Sequence, residues 1–93
     1  MSHLLLRSSA FVRDSKRLLR KQPDRADQLL ETLRLLAADP YAPRLKTHRL
    51  KGKHHDSYAC SAGYDLRVVF SFARFGGKPA ILLETVGTHD EVY

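Results

Sequence analysis

The stretch that decides the fold is LRVVFSFARFGGKPAILLETVG, residues 66–87. Its first half alternates in the way typical of a half-buried strand, with one side formed by Leu66, Val68, Phe70 and Phe72. The GGKP segment that follows is typical of a hairpin turn, and the apolar run AILLETVG returns from it. The stretch therefore predicts a long β-hairpin.

The segments before this hairpin predict one more strand and two helices. SYACSA, residues 57–62, is a short strand. Ser8 or Ser9 can cap a helix that runs to about Lys21. Apolar residues then recur with helical period through RADQLLETLRLLAA, where Asp24 is the expected cap and the DP dipeptide the end.

Together with a first strand in HLLLR, these segments give the order β-α-α-β-β-β. The short joint at Pro23 makes the two helices a hairpin. We expect a single α+β domain over residues 1–93, with an antiparallel sheet packed on an N-terminal α-helical hairpin. Period two would then project Arg67 from the face away from the helices. There it would serve as a cross-strand pairing residue or hold its guanidinium over a phosphate.

Composition narrows the choice of compartment and partner. The chain has no run near the roughly 20 apolar residues of a membrane span, no signal peptide and one cysteine, which is compatible with the cytoplasm. Sixteen Lys and Arg against ten Asp and Glu give a net charge of +6. This balance predicts a polyanionic partner, either nucleic acid or an acidic protein.

The positive charge is concentrated in APRLKTHRLKGKHH, residues 42–55, which contains no acidic residue. A basic run is often only a solvated surface, but this density without alternating sign favours a surface that faces phosphates. The candidate RNA-binding residues in it are Arg44, Lys46, Arg49, Lys51 and Lys53.

Three motifs and their order resemble a known family. They are THRLKG (residues 47–52), GYDLRVVF (63–70) and the final VGTHDEVY (86–93), in the order β-α-α-β-β-β over nearly the whole chain. The chain resembles the RelE/ParE superfamily of type II toxins, and within it the YafQ-like messenger-RNA endonucleases (mRNA interferases).

The resemblance implies roles for five residues. His48 and His89 match proton-transfer histidines, and Asp65 matches a catalytic acidic residue. Tyr93 falls where the pattern has an aromatic residue, and Arg67 lies near an arginine of the RelE branch.

The chain departs from the family pattern at one position. Ser61 stands where the pattern has a further histidine, and a hydroxyl cannot replace an imidazole as a base at neutral pH. Either the set is reduced to two histidines and an aspartate, or His54 or His55 substitutes.

The reaction implied is cleavage of RNA by attack of the ribose 2′-oxygen on its neighbouring phosphate, without metal or cofactor. His48 or Asp65 would be the base and His89 the acid. Arg67 and the lysines would stabilise the developing charge. Tyr93 and Tyr64 could stack on a splayed base. A zinc site built from the histidines is conceivable, but their spacing matches no known ligand pattern.

The resemblance also implies partners: a cognate acidic antitoxin, messenger RNA and the ribosome, with no membrane. The alternatives are a ParE-like toxin that inhibits DNA gyrase without cutting anything, and a basic RNA-binding module without activity. A nuclease needs His48, Asp65 and His89 around one groove, so the segment that carries His89 should be docked rather than frayed.

Overall fold

A single five-stranded sheet organises the fold in the computed structural model, which describes residues 2–52 and 56–92. The strand order is β1-β5-β4-β3-β2, with β1 parallel to β5 and the other neighbours antiparallel. The strands are β1 (Leu4–Arg7), β2 (His48–Arg49), β3 (Tyr58–Ala62), β4 (Leu66–Phe75) and β5 (Lys78–Thr88). The helices are α1 (Ser9–Lys21), α2 (Ala26–Ala38) and α3 (His89–Val92). The predicted α+β class is confirmed, but the sheet is mixed rather than antiparallel throughout, because β1 pairs in parallel with β5.

The β4–β5 hairpin has the turn and length that the sequence predicts, with one irregularity. Phe75 pairs with Lys78 across Gly76 and Gly77, whose φ angles of 58° and 79° suit a two-residue type I′ turn. Farther along, Val69 pairs with Thr85 but Phe70 pairs with Leu83, so β5 carries one extra residue at position 84. This bulge shifts the register of the four pairs farthest from the turn, from Val69 with Thr85 to Leu66 with Thr88.

The helix starts agree with the sequence at α1 and differ at α2. Ser8 caps α1, and its hydroxyl accepts a hydrogen bond of 3.0 Å from the amide of Phe11. Asp24 does not cap α2, so that prediction is wrong. Pro23 instead opens a single 3₁₀ turn, and the amide of Ala26 bonds to the Pro23 carbonyl as the chain enters α2. The turn satisfies amides that a side-chain cap would otherwise serve.

Helices α1 and α2 cover one face of the sheet, α1 against β5 and α2 against β3. The main core lies there, and its fully buried members include Leu36, Cys60, Leu66, Val68, Phe70, Ile81 and Leu83. The two faces of β4 alternate as predicted, but burial does not follow the alternation strictly, since Phe72 is 40% exposed and Val69, on the other face, is buried. On the opposite face Leu50, Ala59 and Val69 form a second, smaller cluster.

Two elements were not expected from the sequence. Strand β2 lies inside the basic segment, which reads as a loop, and α3 follows β5 without an apolar period of its own. Neither is long enough to show periodicity, since β2 has two residues and α3 has four. Among the residues described, no helix is both long and apolar enough to cross a membrane.

Candidate active site

His48 lies on the sheet face turned away from the helices. It pairs with Ala59, while the next residue, Arg49, pairs with Tyr58. Directly opposed residues share a face and neighbours along a strand do not, so His48 shares the face of Ala59 and Val69. Its ring nitrogen Nδ1 lies 3.2 Å from the carbonyl oxygen of Lys46.

Arg67 lies on the same face as His48, as its position in the alternating strand predicts. It pairs with Ser61 on one side and with Gly87 on the other. Its guanidinium folds back to the β3–β4 turn, where Nη1 donates to the carbonyl oxygens of Tyr64 at 3.2 Å and Leu66 at 3.0 Å. Because two backbone contacts hold the half-buried side chain, the cation is fixed near this end of the sheet.

Asp65 and His89 meet at that same end. The amide of His89 donates a 2.9 Å hydrogen bond to the carbonyl oxygen of Asp65, one step beyond the last β4–β5 pair, Leu66 with Thr88. Arg67 is two residues from Asp65, and its guanidinium bonds to the residues on either side of that aspartate. The structure thus brings the backbones of Asp65 and His89 together beside the Arg67 guanidinium, while Asp65 also lines a pocket with Asp24, Arg25 and Gln28.

His48 stands apart from this group across the sheet. Strand β2 is three strand positions from β5, or about 14 Å at the usual spacing. Through Ala59 and Val69, His48 is level with Thr85 of β5, four residues before His89. The two histidines are therefore separated both across the sheet and along the strands.

The segment that carries His89 is a capped helical turn. The amide of Thr88 donates to the Glu91 carboxylate at 2.8 Å, and the amide of Glu91 points to the Thr88 hydroxyl at a longer 3.4 Å. This reciprocal pair is a capping box. The Thr88 amide accordingly holds the pKa of Glu91 below its usual value.

Two further contacts dock this turn on the sheet. A side chain at Gly87 would crowd Glu91, because an added Cβ would lie 3.0 Å from its Oε1 and 3.2 Å from its Cβ. Val92 packs on the cluster of Leu50, Ala59 and Val69. The expectation of a docked segment is therefore confirmed as far as Val92.

The predicted RNA-binding residues that the structure describes are exposed but do not share one face. Tyr64 is 97% exposed in the β3–β4 turn. Arg49 projects from the opposite face to His48 and lies 4.0 Å from Asp56. The other exposed basic residues of the segment are Arg44, Lys46 and Lys51. Four predicted residues lie outside the described residues: Lys53, His54, His55 and Tyr93.

Ser61, which stands where the family pattern has a histidine, is half-buried directly opposite Arg67. The region between Arg67 and His48 thus offers a hydroxyl in place of an imidazole.

Within residues 2–52 and 56–92, no three His, Cys, Asp or Glu side chains are grouped so as to hold a metal ion. Absence of a metal in the reaction stays a prediction.

Sequence reasoning missed three residues that support the site. Thr88 and Glu91 spell the T-x-x-E pattern of a capping box, which was readable from the sequence. Asp14 is buried on α1, where its carboxylate accepts a 2.5 Å hydrogen bond from the Thr85 hydroxyl. The sequence also indicates that Asp14 is buried, because position 14 falls between Phe11 and Leu18 on the apolar side of α1.

Comparison with known proteins identifies the family. The family model for YafQ, described as a bacterial toxin of type II toxin-antitoxin systems, matches residues 5–93. The chain belongs to the YafQ toxin family. No curated protein sequence matches it significantly.

Solved structures agree with this membership. A metal-bound toxin from Helicobacter pylori is 28% identical over 100% of both chains, with a TM-score of 0.75. YafQ from Escherichia coli BL21(DE3) is 18% identical over 98% of both chains, with a TM-score of 0.79. YafQ in the E. coli DinJ-YafQ toxin-antitoxin complex is 18% identical over 100% of this chain and 99% of that one, with a TM-score of 0.77. The two E. coli structures support the fold alone.

Proposed function

We propose that this YafQ-family toxin is a metal-independent endoribonuclease that cleaves messenger RNA, on the translating ribosome, in the cytoplasm. The observation that carries the proposal is the meeting of Asp65, Arg67 and His89 at one end of the sheet, with His48 on the same face as Arg67. A gyrase inhibitor would not require this grouping, and the family match favours YafQ over ParE.

The reaction needs a base, an acid and a cation around one phosphate. His48 or Asp65 takes the proton of the ribose 2′-hydroxyl, and the 2′-oxygen forms a bond to phosphorus. As the bond from phosphorus to the 5′-oxygen breaks, His89 supplies a proton to that leaving oxygen. A positioned acid or base contributes about 10²–10⁴-fold to the rate.

Arg67 is the cation for the negative charge that develops on the phosphate oxygens. Its contacts with the Tyr64 and Leu66 carbonyls fix the guanidinium before substrate arrives, and such preorganisation makes electrostatic stabilisation effective. The exposed ring of Tyr64, together with Tyr93, supplies stacking for a base next to the cut. The basic residues from Arg44 to Lys51, and Lys53 beyond them, contact flanking phosphates.

The second part of the proposal is a cognate antitoxin. The E. coli relative is solved as a complex with DinJ, its antitoxin. A net charge of +6 on the toxin suits an acidic partner whose flexible segment covers the basic surface. We expect the antitoxin to block RNA access and the complex to weaken as salt rises.

The experiment that tests the nuclease is mapping of RNA 5′ ends by primer extension in translating and non-translating extracts. We expect new ends with the wild-type protein. Cleavage should persist when the toxin alone is treated with EDTA, separated from the chelator and then added to purified ribosome complexes in magnesium buffer. His89→Ala should lower the cleavage rate by about 10²-fold or more with RNA binding nearly unchanged.

The carboxylate of Asp90 lies 3.7 Å from Nδ1 of His89, so a change there would not be neutral. Asp27→Ala is therefore the control, since it removes an exposed side chain from α2. It should cut at nearly the wild-type rate. Full cleavage by His89→Ala would contradict the proposed acid, and no new ends in either extract would contradict the nuclease itself.

A further inference from the structure

A cluster of exposed aromatic rings lies on the helix-side face of the sheet, beyond the end of α2. Tyr41 is 61% exposed and Phe72 is 40% exposed. Their rings stack with centroids 6.0 Å apart at an interplanar angle of 24°, and Tyr58 meets Phe72 edge-on at 5.0 Å. These three residues, Tyr41, Tyr58 and Phe72, are called the aromatic platform below.

The platform is anchored in the core but is not part of it. Tyr58 stacks on Phe70, a fully buried residue, with centroids 5.9 Å apart. Burial and the neighbouring Tyr58 raise the pKa of Tyr41. The ring of His3 lies 6.3 Å from Phe72 on another side. The rings are thus held in place although Tyr41 and Phe72 remain accessible.

Cationic side chains lie beside the platform. Arg49 pairs with Tyr58 across β2 and β3 and therefore projects from the same face. Arg74 lies two residues after Phe72 on β4, so it also shares that face. Exposed aromatic rings next to cations form the combination by which proteins hold single-stranded nucleic acid: the bases stack and the phosphates meet positive charge.

Strand β2 connects the platform with the candidate active site. His48 projects from one face of this two-residue strand and Arg49 from the other. Exposed Lys46 and Lys51 flank the strand on either side in sequence. A polyanion that passes around this edge of the sheet would therefore meet Lys46, Lys51 and Arg49 between the face of His48 and the platform, with one carboxylate, Asp56, 4.0 Å from Arg49.

We propose that the aromatic platform stacks a base of single-stranded RNA, a few nucleotides from the cleaved bond, after the RNA backbone crosses strand β2. The inference rests on the proposed function for RNA as the substrate, and it adds a second contact surface outside the catalytic group. A polyanion suits the platform better than an apolar protein segment because Arg49 and Arg74 border it.

The test is equilibrium binding of a fluorescent single-stranded RNA of about ten nucleotides, within the range of single-strand site sizes. Tyr41→Ala should weaken binding by about 5- to 100-fold, as expected for loss of one stacked base. Tyr41→Phe keeps the ring and removes only the hydroxyl, so it should bind like the wild type. Phe75→Ala is the matched control, because Phe75 is 60% exposed but projects from the other face of β4.

A second measurement uses the wild-type protein and does not depend on how the variants fold. RNA carrying 5-iodouridine is irradiated and the linked peptide is identified by mass spectrometry. A crosslink to Tyr41 or Phe72 supports the inference, and crosslinks confined to other residues overturn it.

The outcomes separate this inference from the proposed function. If the wild type binds RNA and folded Tyr41→Ala binds it equally well, the platform inference fails alone. If the wild type binds no single-stranded RNA but cleaves messenger RNA in translating extracts, the platform inference fails and the proposed function stands. If Tyr41→Ala binds RNA normally but loses a co-expressed antitoxin, the surface is a protein-docking site and the inference is overturned.

Discussion

At the scale of single residues, Asp14 shows how one buried acid connects a helix to the strand that leads to the site. Its carboxylate accepts hydrogen bonds from the Thr85 hydroxyl and from Arg13 and Arg17, the two arginines at 3.1 Å each. Thr85 lies on β5 two residues before Gly87. The contact therefore fixes α1 against the part of β5 from which His89 is positioned.

Asp14 should also make stability depend on pH. The Thr85 hydroxyl, followed by the arginines, lowers the pKa of Asp14 below its usual value although burial opposes the shift. A carboxyl whose pKa is lower in the folded state stabilises the fold fully above its unfolded pKa. That contribution is lost as the pH falls from about that value through the lower folded pKa.

We therefore predict that Asp14→Asn lowers the free energy of unfolding at neutral pH by about 1–3 kcal/mol and flattens its decline in acid. Urea unfolding at several pH values measures both effects. Asp90→Asn, at a fully exposed carboxylate, is the control and should follow the wild type. Acid limbs of equal slope for Asp14→Asn and wild type would contradict the assignment.

At the scale of elements, α3 is too short to be stable alone and depends on its surroundings. The capping box between Thr88 and Glu91 satisfies two amides, and Val92 adds apolar contact with the second cluster. Little of the main core involves this turn. The turn can therefore be changed or removed while the rest of the sheet remains.

Removal of residues 89–93 should abolish RNA cleavage but leave a folded domain. The deletion costs at most a few kcal/mol of stability, mainly from Val92, at about 1.5–3 per buried side chain. It takes away the proposed acid and the Tyr93 ring. A thermal melt and primer extension on the same preparation measure the two effects, and a truncated protein that still cuts would show that this segment has no catalytic part.

The capping box itself should affect cleavage more than binding. Thr88→Val removes the hydroxyl that faces the Glu91 amide, at a cost of about 0.5–2 kcal/mol, and loosens the turn around His89. We expect a lower cleavage rate with unchanged RNA affinity. Thr88→Ser keeps the hydroxyl and should retain the rate. A loss of rate in Thr88→Ser but not in Thr88→Val would point to packing of the methyl group instead.

The elements also show what sequence can and cannot give. Periodicity predicted β4 and α2 because each is long enough to repeat its pattern. The two-residue β2 has no pattern, and its pairing with β3 depends on a contact between distant parts of the chain. Pro23 misled the assignment of the α2 cap because a 3₁₀ turn and a capping aspartate leave similar sequences.

At the scale of the whole molecule, the grouping of site residues comes from strand order rather than from local sequence. Arg67 and Gly87 are neighbours through the β4–β5 register, which a bulge shifts at Glu84, and alternation alone does not reveal a bulge. The resemblance to the toxin family named the candidate residues. It did not indicate that His48 lies three strands from β5, or that Tyr41 and Phe72 form an exposed stack.

The distribution of charge over the molecule predicts how RNA binding responds to salt. A net charge of +6, with exposed Arg44, Lys46 and Lys51 in one segment, should give an affinity that falls linearly with the logarithm of salt concentration. Each phosphate contact contributes about 0.7 to that slope for single strands. Arg44→Ala combined with Lys51→Ala should therefore reduce the slope by roughly 1.4 and weaken binding of different RNA sequences to a similar degree.

Arg34→Ala, a change at an exposed residue of α2, is the control and should leave the slope unaltered. Titrations over a range of salt concentrations decide the matter, since an unchanged slope in the double variant would mean that RNA does not follow the basic segment.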